Sequence, residues 1–219
     1  MRQIFRRRSN AISRLSLLFF LVVLPLGALG FWTAFKWSDW QTEVNVPTGQ
    51  PVPFSHQHHV AGLGLDCRYC HSTVETTATA GMPPTHTCMT CHSQIWQNAD
   101  ILAPVRESYA QHKPLEWNRV YRIPKYVYFN HSIHVQKGIG CTSCHGEIAS
   151  MPLTWKENPF YMRNCLACHR EPEKYIRQKS EVFNPFWVQP ENQESIGAKL
   201  VEEYHIPKDR LTDCYTCHR

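Results

Sequence analysis

The sequence has no cysteine outside a Cys-x-x-Cys pair, no acidic residue before Asp39 and no charge between Leu15 and Phe35. Each absence excludes something. Cysteines confined to one spacing exclude a disulfide framework, whose spacings vary. The missing N-terminal acids mean that the formal charge of +5 rests on Arg2, Arg6, Arg7, Arg8 and Arg14. Without them 18 basic residues balance 18 acidic ones, so the body of the chain lacks the basic domain of a nucleic-acid reader.

The ten cysteines are Cys67, Cys70, Cys88, Cys91, Cys141, Cys144, Cys165, Cys168, Cys214 and Cys217. Every pair is followed at once by a histidine: His71, His92, His145, His169 and His218. Zinc explains paired cysteines but not five histidines in one following position. Cys-x-x-Cys-His is the attachment motif of c-type haem. Two thiols add across the vinyl groups of one porphyrin, and the adjacent histidine becomes the proximal iron ligand. Five motifs predict five covalent haems c, whose ionised propionates carry the exported part to about −10.

The uncharged run, residues 15–35, has 21 residues, about the 20 a spanning helix needs. Arginines precede it and Trp32, Trp37 and Trp40 follow. The positive-inside rule and the aromatic belt predict a cytoplasmic tail (1–14), a transmembrane anchor (15–35) and an exported haem domain (36–219) on the periplasmic side. Pro25 predicts a kink. Ala28-Leu29-Gly30 resembles a signal-peptide cleavage site, but the apolar run continues past it, and we read the anchor as uncleaved.

The exported part repeats itself. Unit one (54–92) holds Phe54, His56 and His59 ahead of two motifs, and unit two (129–169) holds Phe129, His131 and His134 ahead of two more. A bridge (93–128) joins them, with a short amphipathic helix predicted over 98–112 and Pro104 in its first turn. A C-terminal segment (170–219) carries the fifth motif, with a helix predicted over 195–205. Fifteen prolines argue against long regular elements. The fold class expected is a multihaem cytochrome c: mostly irregular, short α-helices wrapped around five haems, little β.

Each iron needs a second axial ligand. His56, His131 and His205 stand 11, 10 and 9 residues ahead of Cys67, Cys141 and Cys214; this graded spacing predicts that each serves the haem just downstream. His59 and His134 then serve the second and fourth haems, in either order. If His-x-x-His is helical, its two imidazoles share a face and reach two porphyrins. That leaves His58, His86 and His112 as surface or haem-edge residues. Met151, between the third and fourth motifs, is the alternative ligand at the fourth haem, and Met82 is next. Irons capped on both sides carry electrons and have no catalytic position, so no catalytic residue is expected.

The stretches PFSHQHHVAGLGLDCRYCH, AGMPPTHTCMTCHSQIW, VYFNHSIHVQKGIGCTSCH and CHREPEKYIR, with EVFN soon after, resemble the pentahaem cytochrome c subunit of alternative complex III, a bacterial quinol-oxidising complex. The resemblance runs from about residue 50 to the C-terminus. It implies an electron-transfer subunit rather than an enzyme on its own. It also implies as partners a large iron–sulfur subunit, polytopic quinol-binding membrane subunits and a monohaem cytochrome c. Mostly bis-histidine haems with one His/Met haem are implied too, which keeps Met151 in view. The rival reading is a membrane-anchored multihaem quinol dehydrogenase feeding a periplasmic reductase. The methionine expected after its first motif is missing here, where Ser72 and Thr73 follow His71. A multihaem reductase with an open haem is a third reading, and no Cys-x-x-Cys-Lys motif supports it.

Overall fold

A computed structural model describes residues 6–218; Arg2 of the basic tail lies outside them. Two compact units divide between residues 44 and 45. The N-terminal unit is a helix followed by one short turn. Arg7–Leu18 (α1) runs through a π-helical stretch, Phe19–Val23, into Leu24–Lys36 (α2). The helix from Arg8 to Lys36 has 29 residues and is long and apolar enough to cross a membrane. Pro25 sits at the start of α2, where its missing N–H and its ring are accommodated by the wider turn before it. Asp39–Thr42 (α3) follows, with Ser38 capping the amide of Gln41 at 3.4 Å.

The second unit is built from short helices and loops. A π-helical turn, Gln57–Gly62, precedes Cys67–Cys70 (α4), Thr85–His92 (α5) and Ala103–Gln111 (α6). Then come His131–Gln136 (α7), Thr142–His145 (α8) and Met162–Arg170 (α9). Gln193–Glu203 (α10) and Cys214–Cys217 (α11) complete the set. No strand forms among the described residues; β pairing is limited to the isolated bridges Pro47–Trp155, Val127–His218 and Ile139–Ile176. Local chemistry sets several boundaries. Asp66 caps α4 by accepting the Arg68 amide at 2.8 Å, and Asn130 caps α7 by accepting the Ser132 amide at 3.0 Å. Pro104 stands in the first turn of α6, where its missing donor costs nothing.

All five Cys-x-x-Cys segments fall on a helical turn. On such a turn positions i, i+3 and i+4 project to one side. The two sulfurs and the following imidazole therefore face the same way, as attachment to one porphyrin requires.

The apolar core of the chain itself is small. Val52, Leu102 and Val105 form one buried cluster and Ile176, Leu200 and Tyr204 another. The second joins α10 to the turn Pro172–Lys174, where Gln193 donates to the carbonyls of Glu173 and Ile176 at 2.9 and 2.7 Å. Large side chains near the motifs, including Tyr69, Ile95, Trp96, Ile133 and Met162, stay exposed on the protein alone. Such apolar surface is what a bound porphyrin would cover.

Candidate haem-binding sites

Phe54 and Phe129 organise the two repeats in the same way. Each phenyl ring meets the first histidine of its His-x-x-His edge-on, at 4.9 Å for His56 and 4.8 Å for His131. Each lies more nearly flat on the second, at 4.5 Å for both His59 and His134. The local backbones differ: His131 and His134 are one face of α7, whereas His56 caps the π-helical turn that contains His59. The wider turn still projects both imidazoles beside Phe54.

These histidines meet motif histidines from elsewhere in the chain. Ring centroids are 6.4 Å apart for His131 and His145, 6.2 Å for His134 and His169, and 6.2 Å for His59 and His92. Two imidazoles on opposite sides of one metal, each bonded at about 2 Å with its ring centre about 1.1 Å beyond, stand about 6.2 Å apart. The three separations agree with that figure. His56 has His71 as an electrostatic neighbour, which adds to the lowering of its pKa. Among the described residues no three His, Cys, Asp or Glu side chains converge as a zinc site needs.

Ring hydrogen bonds set the chemistry of the pairs. The Nδ1 atoms of His59 and His134 reach the carbonyls of Ser55 and Asn130, four residues back, at 2.9 and 2.7 Å. Those of His71, His92 and His131 reach the carbonyls of Gly81, Ile95 and Ala78 at 2.8, 3.1 and 2.9 Å. Those of His169 and His218 reach Leu211 and Tyr126 at 2.8 and 3.2 Å. His56 uses the Thr154 hydroxyl at 3.1 Å. A carbonyl only accepts, so Nδ1 carries the proton and Nε2 is left with its lone pair for a metal. Burial reinforces the neutral form. It pushes His56 and His145 down to about 4, with neighbouring histidines adding to the shift, and it lowers His59 and His134. Burial likewise raises the thiols of Cys70, Cys88 and Cys144, and takes Cys168 to about 11. These are properties of the thiols before attachment.

The remaining histidines separate cleanly. His58, His86, His112 and His205 are exposed, while the nine others are partly buried. His58 stacks on Trp96 at 5.8 Å. His205 occupies a left-handed position (φ 50°) after α10, and its ring meets no other ring among the described residues. No ring contact joins it to His218 among the described residues. Met151 is fully buried and its carbonyl accepts the Gln57 amide at 3.0 Å. It packs beneath the helical turn of His56 and His59, and it is His134 that faces His169. Met82 is exposed.

One residue escaped sequence reasoning. Arg177 is 3% exposed and donates to Thr142 and Ser143, inside the third motif, at 3.0 and 3.1 Å. Its guanidinium lies 4.1 Å over the Trp187 ring, and its Nε has no partner. A buried cation with a free donor calls for an anion. The carboxylates of a haem propionate suit it, so the residues around the motifs fit the group that the motifs imply.

Comparison with known proteins agrees. Residues 133–219 match the family model described as cytochrome c3, and residues 52–105 match that of cytochrome c7 and related cytochrome c. The menaquinone reductase multiheme cytochrome c subunit of Nitratidesulfovibrio vulgaris is 35% identical over 97 residues, 44% of this chain and 45% of that protein. The chain thus spans just under half the length of the curated relative it matches. Its motifs, its short-helical architecture and these likenesses are those of the multihaem cytochromes c, families whose motif implies covalent haem, and part of the chain is similar to a menaquinone reductase cytochrome subunit.

Proposed function

We propose that the chain holds five haems c and relays electrons as the membrane-anchored cytochrome subunit of a quinol:acceptor oxidoreductase complex of the alternative complex III type. Haem c supplies one-electron redox chemistry, and this chain's residues do the rest. The ten cysteines fix the porphyrins, and His71, His92, His145, His169 and His218 bind from the proximal side. His56, His59, His131 and His134 bind from the distal side, serving the first, second, third and fourth motifs.

The observation that carries the reading is the pairing. Three imidazole pairs stand at 6.2–6.4 Å, and in five of the six rings an Nδ1 bond to a carbonyl leaves Nε2 free. Metal held on both axes by protein has no place for a substrate, which favours electron transfer over catalysis. The N-terminal helix serves as the anchor, with the haem unit on the extracytoplasmic side. The partners are an iron–sulfur subunit, polytopic quinone-binding subunits and a monohaem cytochrome c.

The similarity to a menaquinone reductase subunit favours a second reading, in which electrons run toward the quinone. A quinol dehydrogenase that feeds one periplasmic reductase, with electrons leaving the quinol, is a separate alternative that shares the anchor and the Cys-x-x-Cys-His pattern. Purification from native membranes in mild detergent, followed by mass spectrometry, tests the proposal. Co-migration of covalent haem with an iron–sulfur subunit and polytopic subunits is expected. A chain that travels alone, or with one soluble reductase, refutes it.

A further inference from the structure

We propose that the five attachment motifs form one unbranched series in the order second, first, third, fourth, fifth, with residues 88–92 and 214–218 as its ends. The inference rests on the reading that each motif carries haem, and it goes beyond that reading by ordering the motifs in space.

Each junction is a set of shared contacts. The second and first motifs are joined by Phe54, which touches both His56 and His59. They are joined again by Tyr69 of α4 and Thr90 of α5, whose hydroxyls lie 2.8 Å apart. The first and third share two loops. Cys67 donates to the Phe183 carbonyl at 3.9 Å, and the Cys141 amide donates to the neighbouring Val182 carbonyl at 3.3 Å. His71 and His131 hydrogen-bond to Gly81 and Ala78 of one turn. The thiols of Cys67 and Cys141 are direct neighbours. The third and fourth are joined through α7 and Phe129, which touches His131 and His134. The fourth and fifth meet at Leu211, whose carbonyl accepts from His169 at 2.8 Å, and at Tyr128, whose amide donates to Cys217 at 2.8 Å. Among the described contacts none joins the second motif to the third, or the fifth to the first.

The order departs from the order along the chain because the first motif is flanked on both sides. Its distal histidine shares a turn with that of the second, and its cysteine turn packs against the third. Each end of the series carries exposed apolar side chains, Ile95 and Trp96 after the second motif, Tyr126 beside the fifth and Tyr215 within it. These are the apolar, aromatic side chains suited to contact with electron-exchanging partners. Entry and exit are thus placed at the second and fifth motifs, with the first in the interior.

Neighbouring haems influence each other's midpoint potential because reducing one adds an electron beside the next; the influence fades with distance. The ring angles supply a spectroscopic handle. Near-parallel imidazoles, 8° for His131 and His145, give a rhombic low-spin EPR signal; crossed ones, 70° for His59 and His92, give a large-g signal. His59→Met in the full chain raises the midpoint at the second motif. In an EPR-monitored titration the rhombic signal of the third should keep its wild-type midpoint. His56→Met, at the first motif, should lower it. A third-motif midpoint that follows His59→Met and ignores His56→Met overturns the order. Iron-to-iron separations from cryo-electron microscopy of the wild-type protein decide the question without a variant. First–third shorter than second–third upholds the series, and the reverse overturns it. Mass spectrometry separates the two levels: fewer than five haems refutes the reading beneath, whereas five haems with the wrong neighbours refutes the order alone.

Discussion

Gly138 links the distal histidines of α7 to the third motif, and replacing it with alanine should damage the protein in a measurable way. Its φ of +80° is left-handed, and a Cβ there would lie 2.5 Å from the Arg177 carbonyl oxygen and 2.8 Å from the Tyr204 ring. The conformational cost for a residue with Cβ is about 1–2 kcal/mol. The clash adds about 1–3 kcal/mol, because a backbone oxygen has no rotamer to yield, and the Arg177 amide is hydrogen-bonded back to Gly138 at 2.8 Å. Gly64 is the matched control: its φ is +69°, but nothing lies within 4 Å of its Cβ position. Gly64→Ala should cost only the conformational part. At about 2–4 °C per kcal/mol for a unit of this size, Gly138→Ala should unfold about 2–12 °C below Gly64→Ala. The assay is thermal unfolding of the haem-loaded protein, followed by circular dichroism and by the Soret band. Equal midpoints for the two variants would show that Gly138 is not wedged against Arg177 and Tyr204, and would refute the packing argument.

Three further outcomes follow from the sites. The oxidised wild-type protein should show a large-g EPR signal from the second motif, at 70°, and rhombic signals from the third and fourth, at 8° and 24°; a spectrum with no large-g component contradicts the His59–His92 pair. Thr154→Val removes the His56 acceptor and makes that imidazole a poorer donor to iron. The first haem's midpoint should rise by at most about 40 mV, equivalent to about 1 kcal/mol, in a spectroelectrochemical titration. Arg177→Gln withdraws a buried cation beside the third motif, so the midpoint there should fall; an unchanged value removes Arg177 from the propionate site.

The attachment turns were legible because Cys-x-x-Cys-His carries its geometry in its own spacing, and prolines signalled that long elements would not form. The repeat was legible for the same reason: Phe, then His, then His recurs at fixed intervals and packs the same way twice. What lay beyond reach comes from segments distant in sequence. His131 leans on Ala78, 53 residues away, and His218 on Tyr126, 92 away; no local pattern announces such partners. The π-helical form of Gln57–Gly62 was equally hidden, since α and π turns present similar faces over six residues. The offsets of 11, 10 and 9 residues are regular, yet His205, the last of the three, is exposed at a left-handed position after α10. Arg177 gave no sequence signal, because a lone arginine reads as a surface charge until its burial is seen.

The eight ring hydrogen bonds differ in how open they are to evolutionary adjustment. Seven end on main-chain carbonyls, which every residue type supplies, so substitutions at Ser55, Ala78, Ile95, Tyr126, Asn130 or Leu211 leave the acceptor atom in place. Gly81 is held instead by its own φ of +78° and by Thr73, whose Oγ1 would lie 2.6 Å from a Cβ. His56 alone ends on a side-chain hydroxyl, that of Thr154. A single codon change there alters the electronic character of one imidazole while the backbone stays as it is. Drift is buffered at six of these positions, and at Thr154, whose partner His56 lies ahead of the first motif, selection has a dial.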